Sequence, residues 1–241
     1  MARLKRILLK LSGEMMAGGD RRGLSNASIK AVASQIAAVS RQGTQVAIVS
    51  GAGNLVRGAG PNRYALDVEQ QSLDSMGMLA TIINCTALAD FLRREGCEVV
   101  HMCAFPSLPG TVPADAHAAC QHLANGRIVL FSGGTGLPFF STDTAAVVRA
   151  LQIKADALLK ATQVDGVYDR DPGSHTGEPA RFLSKVSYGE AIEKRLRFMD
   201  LPALALASQN RLTIHVYNAH VEGNLAKLLS GKLECSQVGP Q

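Results

Sequence analysis

Residues 127–172 read RIVLFSGGTGLPFFSTDTAAVVRALQIKADALLKATQVDGVYDRDP, and this stretch decides the fold. Val129-Leu130-Phe131 is an apolar run suited to a buried strand. Ser132-Gly133-Gly134 stops it with residues that permit backbone angles and close ligand approach denied to larger side chains. Thr142-Asp143-Thr144 then opens a helix, with Thr142 or Asp143 available to cap its free N–H groups. Asp156 to Ala161 is another strand, closed by Thr162, and Val167 to Pro172 is an acidic turn or loop. Strand, glycine turn, helix and strand make a βαβ unit. A helix N-terminus reached through a glycine turn is also an anion site, and the stretch alone fits a plain structural unit equally well.

The same alternation extends in both directions. Further strands are expected at Lys5–Leu11, Gln45–Val49, Glu98–Met102 and Leu212–Tyr217, with the strand in the quoted stretch starting at Ile128. Helices are expected from Ser28 to Arg41, from Met76 through Leu92 to a stop at Gly96, from Ala114 to Ala124, and around Tyr188–Leu196, Leu201–Ser208 and Asn224–Leu229. Met15 to Ser25 reads as a mobile loop, and Pro61 to Asp67 as irregular. The fold class is α/β, a mostly parallel sheet sandwiched between helices in three layers. One domain, 1–241, is expected, since no linker, repeat or low-complexity tract divides the chain. Ligands of such sheets lie beyond the carboxyl ends of the strands, where Ser12-Gly13, Gly51-Ala52-Gly53, Gly133-Gly134 and Thr162 all fall.

Composition narrows the function. The 241 residues are 46% hydrophobic and 19% charged, enough for a large core. The apolar run Ile7-Leu8-Leu9 is broken by Lys10, too short for a signal peptide core or a membrane span, so a cytoplasmic protein without membrane attachment is expected. Five cysteines and six histidines show no metal-ligand spacing; reduced thiols and no protein-held metal are expected. The net charge of +5 is dispersed, with its longest cluster at Lys194-Arg195-Leu196-Arg197, and aromatics are 5%. That pattern suits phosphates on a small ligand better than nucleic acid.

Two of the strands carry a lysine near the ligand-facing end, Lys10 and Lys160. A lysine in an apolar strand is expensive unless it reaches water or an anion, and either alone fits a snorkelling edge residue. Together with the glycine turns and Arg57, they favour a highly phosphorylated ligand and phosphoryl transfer by positioning and charge neutralisation.

At these residues the chain resembles a known family. Lys10-Leu11-Ser12-Gly13-Glu14, Gly53-Asn54-Leu55-Val56-Arg57-Gly58, Met76 to Thr81, Gly134 to Asp143, Leu159 to Tyr168 and Met199-Asp200-Leu201 closely resemble the bacterial uridylate kinases of the amino acid kinase superfamily, in order and over nearly the whole chain. The run T-G-x-P-F-F-[ST]-T-D is the most specific of these. The resemblance implies transfer of the γ-phosphoryl of ATP to UMP without a covalent enzyme intermediate. It implies an acceptor-side lobe of roughly 1–150 and an ATP-side lobe of roughly 151–241. Lys10, Asp143 and Lys160 would be catalytic, with Asp143 fixing the lysines. Lys10, Leu11, Ser12, Gly13, Gly53 and Arg57 would meet ATP phosphates, and Thr162, Tyr168 and Asp171 its nucleoside end. Ala52, Asp74, Thr135, Gly136, Leu137, Pro138, Phe139, Phe140, Ser141 and Thr142 would bind UMP. Magnesium is implied on the ATP phosphates, as are a homohexamer with the Met76–Glu95 helix as candidate interface, a GTP activator and a UTP inhibitor.

Structural readings stand beside several of these roles. Asp143 and Asp200 also fit plain helix caps, Tyr168 a packing residue, and Phe139-Phe140 core and pocket wall rather than a stacking pair. Ala52 stands where the family usually has glycine; it keeps a backbone contact if its φ is negative and is strained if φ is positive. Ala89 stands where GTP-activated relatives carry arginine, which puts that activation in question. A carboxylate kinase acting on glutamate or aspartate, and a silent UMP or UTP sensor, are the competing readings. The Pro-Phe-Phe turn opposes the first, and the presence of Lys10, Asp143 and Lys160 the second.

Overall fold

The computed structural model describes residues 4–19, 21–56, 67–173 and 179–240. In chain order, β1 (Arg6–Leu11) leads through a 3-10 turn (Gly13–Met16) to α1 (Asn26–Arg41), β2 (Gln45–Ser50), α2 (Gln70–Arg94), β3 (Val99–Cys103) and β4 (Val112–Pro113). α3 (Ala116–Ala124), β5 (Ile128–Ser132), α4 (Thr142–Gln152) and β6 (Ala157–Thr162) follow. The remainder comprises β7 (Val167–Tyr168), β8 (Phe182–Leu183), β9 (Lys185–Ser187), α5 (Tyr188–Glu193), α6 (Leu201–Gln209), β10 (Ile214–Asn218), α7 (Asn224–Leu229) and β11 (Ser236–Gly239).

One sheet runs β4-β3-β5-β2-β1-β6-β10-β11-β9, and β7 and β8 form a separate antiparallel ribbon. Within the sheet, the pairings are parallel except β10 with β11. The expected α/β class and helix-covered parallel sheet are therefore observed. β1 lies in the middle, so its residues are apolar on both faces, as a doubly covered strand requires. Leu8 faces a core shared with α3, α4, α5 and α6, while Ile7, Leu9 and Leu11 face a second core shared with α1, α2 and α7. Each fully buried leucine contributes about 1.5–3 kcal/mol of transfer free energy. Asp156, just before β6, accepts the Lys5 and Arg6 N–H groups at 2.6 and 2.9 Å and fixes the register with which β1 enters the sheet.

Several boundaries differ from expectation, each for a local reason. α2 starts at Gln70 rather than Met76, because its polar first turns bring Leu73 into the core. α2 is also long and apolar enough to cross a bilayer, but Leu73, Leu88 and Leu92 are fully buried on one side of it, which makes it a core helix. α3 begins at Ala116 rather than Ala114 because Asp115 caps it, accepting the Ala118 N–H at 2.6 Å. The start of the expected Met15–Ser25 loop belongs to the 3-10 turn, where Met15 and Met16 are buried. Asp67 of the segment expected to be irregular is described and exposed, and Pro61 to Leu66 lie outside the described residues. α5 ends at Glu193 rather than Leu196, since Arg195 takes a φ of +48° that no helix continues through. The short strands β4, β9 and β11 at the two ends of the sheet were not expected, and neither was the β7 pairing at Val167–Tyr168.

Candidate active site

Lys10 and Lys160 are register partners on adjacent parallel strands. Side chains alternate across a strand, so both lie on the face of Leu8 and Leu158, over which α4 runs. α4 is capped by Ser141, whose hydroxyl accepts the N–H groups of Asp143 and Thr144 at 3.0 and 3.1 Å. Neither Thr142 nor Asp143 is the cap, which corrects the sequence expectation. Freed from capping, Asp143 reaches down to both lysines: Oδ1 is 2.8 Å from Lys10 Nζ and Oδ2 is 2.5 Å from Lys160 Nζ. All three side chains are 11–14% exposed.

The electrostatics follow from this packing. Burial alone would raise the Asp143 carboxyl, but the two ammonium groups outweigh it and hold it far below the usual carboxylate range. Burial pushes the Lys160 ammonium down, Asp143 pulls it back up and Lys10 pushes it down again, leaving it at about 8. Two ammonium groups on one carboxylate keep a surplus positive charge in a site of low local dielectric. Such a surplus suits an anionic ligand such as a phosphate.

Around the triad the sheet edge is formed by two interlocked turns. A Cβ on Gly13 would sit 2.4 Å from Asn54 Oδ1 and 2.9 Å from Gly51 O and Gly53 N, so only glycine lets the turn after β1 rest on the turn after β2. Ala52 is absent from the non-glycine residues with positive φ, so its methyl group is tolerated without strain. Its carbonyl accepts the N–H groups of Leu55 and Val56, both at 2.9 Å. Ser12 caps the 3-10 turn, accepting the Glu14 N–H at 3.4 Å, and Leu11 is buried.

A cavity of about 250 Å³ opens between the β2 turn, α2 and the β5–α4 turn. Ala52, Gly53, Asp74, Gly134, Phe140 and Thr142 are among its walls. Of the residues that resemblance assigns to UMP, Ala52, Asp74, Phe140 and Thr142 are thus brought together. Thr135, Gly136, Leu137, Pro138, Phe139 and Ser141 are not among its walls. The Thr135 hydroxyl closes on Leu137 within the turn, and the Asp74 carboxylate accepts the Phe139 N–H at 2.8 Å, tying α2 to the turn. Phe139 has a φ of +69° and is 71% exposed, and Phe140 is 49% exposed. The core reading of that pair is therefore overturned, and the wall reading holds for Phe140 alone.

A larger cavity, about 570 Å³, lies beyond the end of β6. Tyr168 and Asp171 line it, whereas Thr162 turns its hydroxyl to the carbonyls of Val164 and Tyr217 at 2.7 and 3.1 Å. Tyr168 packs edge-on against Phe182, with ring centroids 5.6 Å apart, so the packing reading holds, and it lines the cavity as well. Arg57 lies outside the described residues.

Three groups of residues escaped sequence reasoning. Lys194, Arg195, Arg197 and Phe198 line the larger cavity; the basic cluster was visible in the sequence, but nothing there placed it beside Tyr168. Asn54 and Asn84 are buried and exchange side-chain hydrogen bonds at 3.0 and 2.8 Å, while Asn84 also donates to Gly51 O at 2.8 Å. An asparagine on the buried stripe of an apolar helix was the available signal. Thr81 accepts the Gly133 N–H at 2.8 Å and so holds the start of the β5–α4 turn.

A pH dependence follows from Lys160. Its ammonium is present below about pH 8 and lost above it, so any rate that needs the charge falls as pH rises through that value. In the free protein this appears as an alkaline limb of kcat/KM near pH 8. Lys160→Arg keeps the charge and is expected to remove the limb. A flat wild-type profile from about pH 7 to 9.5, or an unmoved limb in the arginine variant, contradicts this role of Lys160.

Residues 5–218 match the model of the amino acid kinase family. The chain is 42% identical over 239 residues to the uridylate kinase of Campylobacter jejuni subsp. doylei, covering 99% of each chain. It is 43% identical over 237 residues to that of Streptomyces avermitilis, covering 98% of this chain and 92% of the relative. Its structure superposes on the UMP kinase of Bacillus anthracis with a TM-score of 0.90 at 33% identity, covering 98% of this chain and 96% of the other. For the UMP kinase of Ureaplasma parvum the TM-score is 0.88 at 30% identity, with 100% and 98% covered.

Proposed function

The chain belongs to the amino acid kinase family, and from that membership we propose that it transfers the γ-phosphoryl group of ATP to UMP, giving UDP and ADP in pyrimidine nucleotide biosynthesis. The observation that carries the site assignment is the Lys10–Asp143–Lys160 triad, whose Asp143 and Lys160 stand one and four residues from walls of the two cavities. Asp143 follows Thr142, a wall of the smaller cavity, and Lys160 precedes Val164, a wall of the larger one. UMP takes the smaller cavity and the nucleoside end of ATP the larger, so the phosphates meet over the lysines. Lys10 and Lys160 neutralise the charge that builds as the phosphoryl group moves in line between donor and acceptor oxygens. Asp143 keeps both ammonium groups oriented. Lys10, Leu11, Ser12, Gly13, Gly53 and Arg57 meet the ATP phosphates, and Thr162, Tyr168 and Asp171 serve its nucleoside. The walls of the smaller cavity and the turn from Thr135 to Ser141 serve UMP.

Magnesium enters with ATP. Both Asp143 oxygens are occupied by lysines, which fits an ion held by the nucleotide and water rather than by that carboxylate. When bound, the ion supplies further neutralisation of phosphate charge.

The remaining features of the proposal concern context. The chain acts in the cytoplasm, where its five free cysteines stay reduced. It is one domain, with an acceptor lobe at roughly 1–150 and an ATP-side lobe at roughly 151–241. It assembles as a homohexamer through α2, whose Met76, Leu79 and Ile83 are exposed at helical spacing. A UTP inhibitor and a GTP activator are supported by the resemblance alone, and the buried Ala89 offers GTP no charge.

The test is ADP release across UMP, CMP, dUMP, glutamate and aspartate. Release is expected with UMP and little with CMP. No release above background with UMP sinks the proposal, and release with glutamate or aspartate in its place favours a carboxylate kinase.

A further inference from the structure

We propose that Asp200 is a positioning residue for phosphoryl transfer: its carboxylate clasps the two hydroxyl groups that bracket Asp143 and so fixes Asp143 between Lys10 and Lys160. The inference rests on reading that triad as the transfer centre. Ser141 Oγ accepts the N–H groups of Asp143 and Thr144 at 3.0 and 3.1 Å. A hydroxyl oxygen has two lone pairs, so both are used and its proton has to be donated. It goes to Asp200 Oδ2. Thr144 Oγ1 donates to Asp200 Oδ1 at 3.1 Å, and the same oxygen accepts the Ala203 N–H at 2.9 Å, which caps α6. One carboxylate thus takes three donors from the N-termini of two helices. α4 and α6 share a core through Val147, Ala150, Ala203 and Leu204, so the clasp joins elements that already pack together.

A plain cap does not explain these contacts. Asparagine and serine cap helices as well as aspartate. An asparagine at position 200 can still accept from Ala203 and Thr144, but its NH₂ group meets a Ser141 oxygen with no lone pair left. The negative charge matters too. The charged groups facing Lys160 are Asp143 from α4, Lys10 from β1 and Asp200 from the start of α6, and Asp200 favours the charged lysine.

Asp200→Asn and Asp200→Ser separate the clasp from the cap. Steady-state kinetics with UMP and magnesium ATP are measured beside thermal denaturation. Both variants are expected to stay folded and to lose kcat by on the order of 10²-fold, with KM for each nucleotide changed less than about threefold. Their alkaline limb moves to lower pH, and Asp200→Glu restores its position. In the protein without substrate, NMR of ¹³C-labelled lysine is expected to show Lys160 losing its proton at lower pH in Asp200→Asn than in wild type. Thr144→Val, which leaves the α6 cap untouched, is expected to lose about tenfold in kcat. A kcat within about threefold of wild type in Asp200→Asn, or a Lys160 titration unmoved by it, overturns the inference. So does undiminished kcat in Thr144→Val. A wild type inactive with UMP overturns the functional reading instead, and the lysine titration still decides whether Asp200 supports the triad.

Discussion

Lys10→Ala is expected to lower kcat for UMP phosphorylation by on the order of 10³-fold while leaving the far-ultraviolet circular dichroism unchanged. The size of the effect follows from charge. With both lysines present, the triad carries one positive charge in excess; without Lys10, Asp143 and Lys160 form a neutral pair with nothing left for the phosphoryl group. The fold survives because β1 is held by its register with β2 and β6 and by Ile7, Leu8, Leu9 and Leu11, all buried, rather than by the lysine. A kcat within about tenfold of wild type takes Lys10 out of the mechanism.

Asp143→Asn should be nearly as damaging but should differ in its response to pH. The amide keeps the side chain's size and removes the charge that orients both ammonium groups. Burial and Lys10 already push the Lys160 ammonium down, and Asp143 is what pulls it back. Without Asp143 its proton leaves below pH 8, so at neutral pH much of the variant has lost a charge as well as its geometry. The expected result is a loss of kcat of about 10²–10⁴-fold, with residual activity that rises as pH falls from 8 toward 6.5. The sign is fixed, because the charged form of a lysine with a lowered pKa returns only on acidification. Residual activity that grows with rising pH, or a loss under about tenfold, contradicts the role given to Asp143.

Sequence periodicity carried the main sheet well, and for a physical reason. β1, β2, β3, β5, β6 and β10 are buried on both faces, so each reads as a compact apolar run whatever it pairs with. The outer strands β4, β9 and β11 have two to four residues, too few for an alternating pattern to be read. The two lysines were legible as an anomaly within apolar strands. Their convergence on one carboxylate depends on the β1–β6 register and on Ser141 taking the capping role, and both are tertiary facts.

The wall residues divide in the same way. Ala52, Asp74, Phe140 and Thr142 were recognised by resemblance, and the fold brings them around one cavity. Phe139 shows why its neighbours in the same motif do not follow. Its positive φ turns the ring outward while its N–H holds Asp74, a backbone role that residue type does not announce. Lys194, Arg195 and Arg197 were visible as charge without a place, because the helix that ends at Glu193 sets where they project.

The most direct measurement is a structure of the protein with a non-hydrolysable ATP analogue, magnesium and UMP bound together. The expected result puts the γ-phosphoryl group within about 3 Å of both Lys10 Nζ and Lys160 Nζ, with the UMP phosphate reaching it from the cavity walled by Ala52, Asp74 and Thr142. Phosphates bound more than about 6 Å from both lysines contradict the assignment of the triad as the transfer centre.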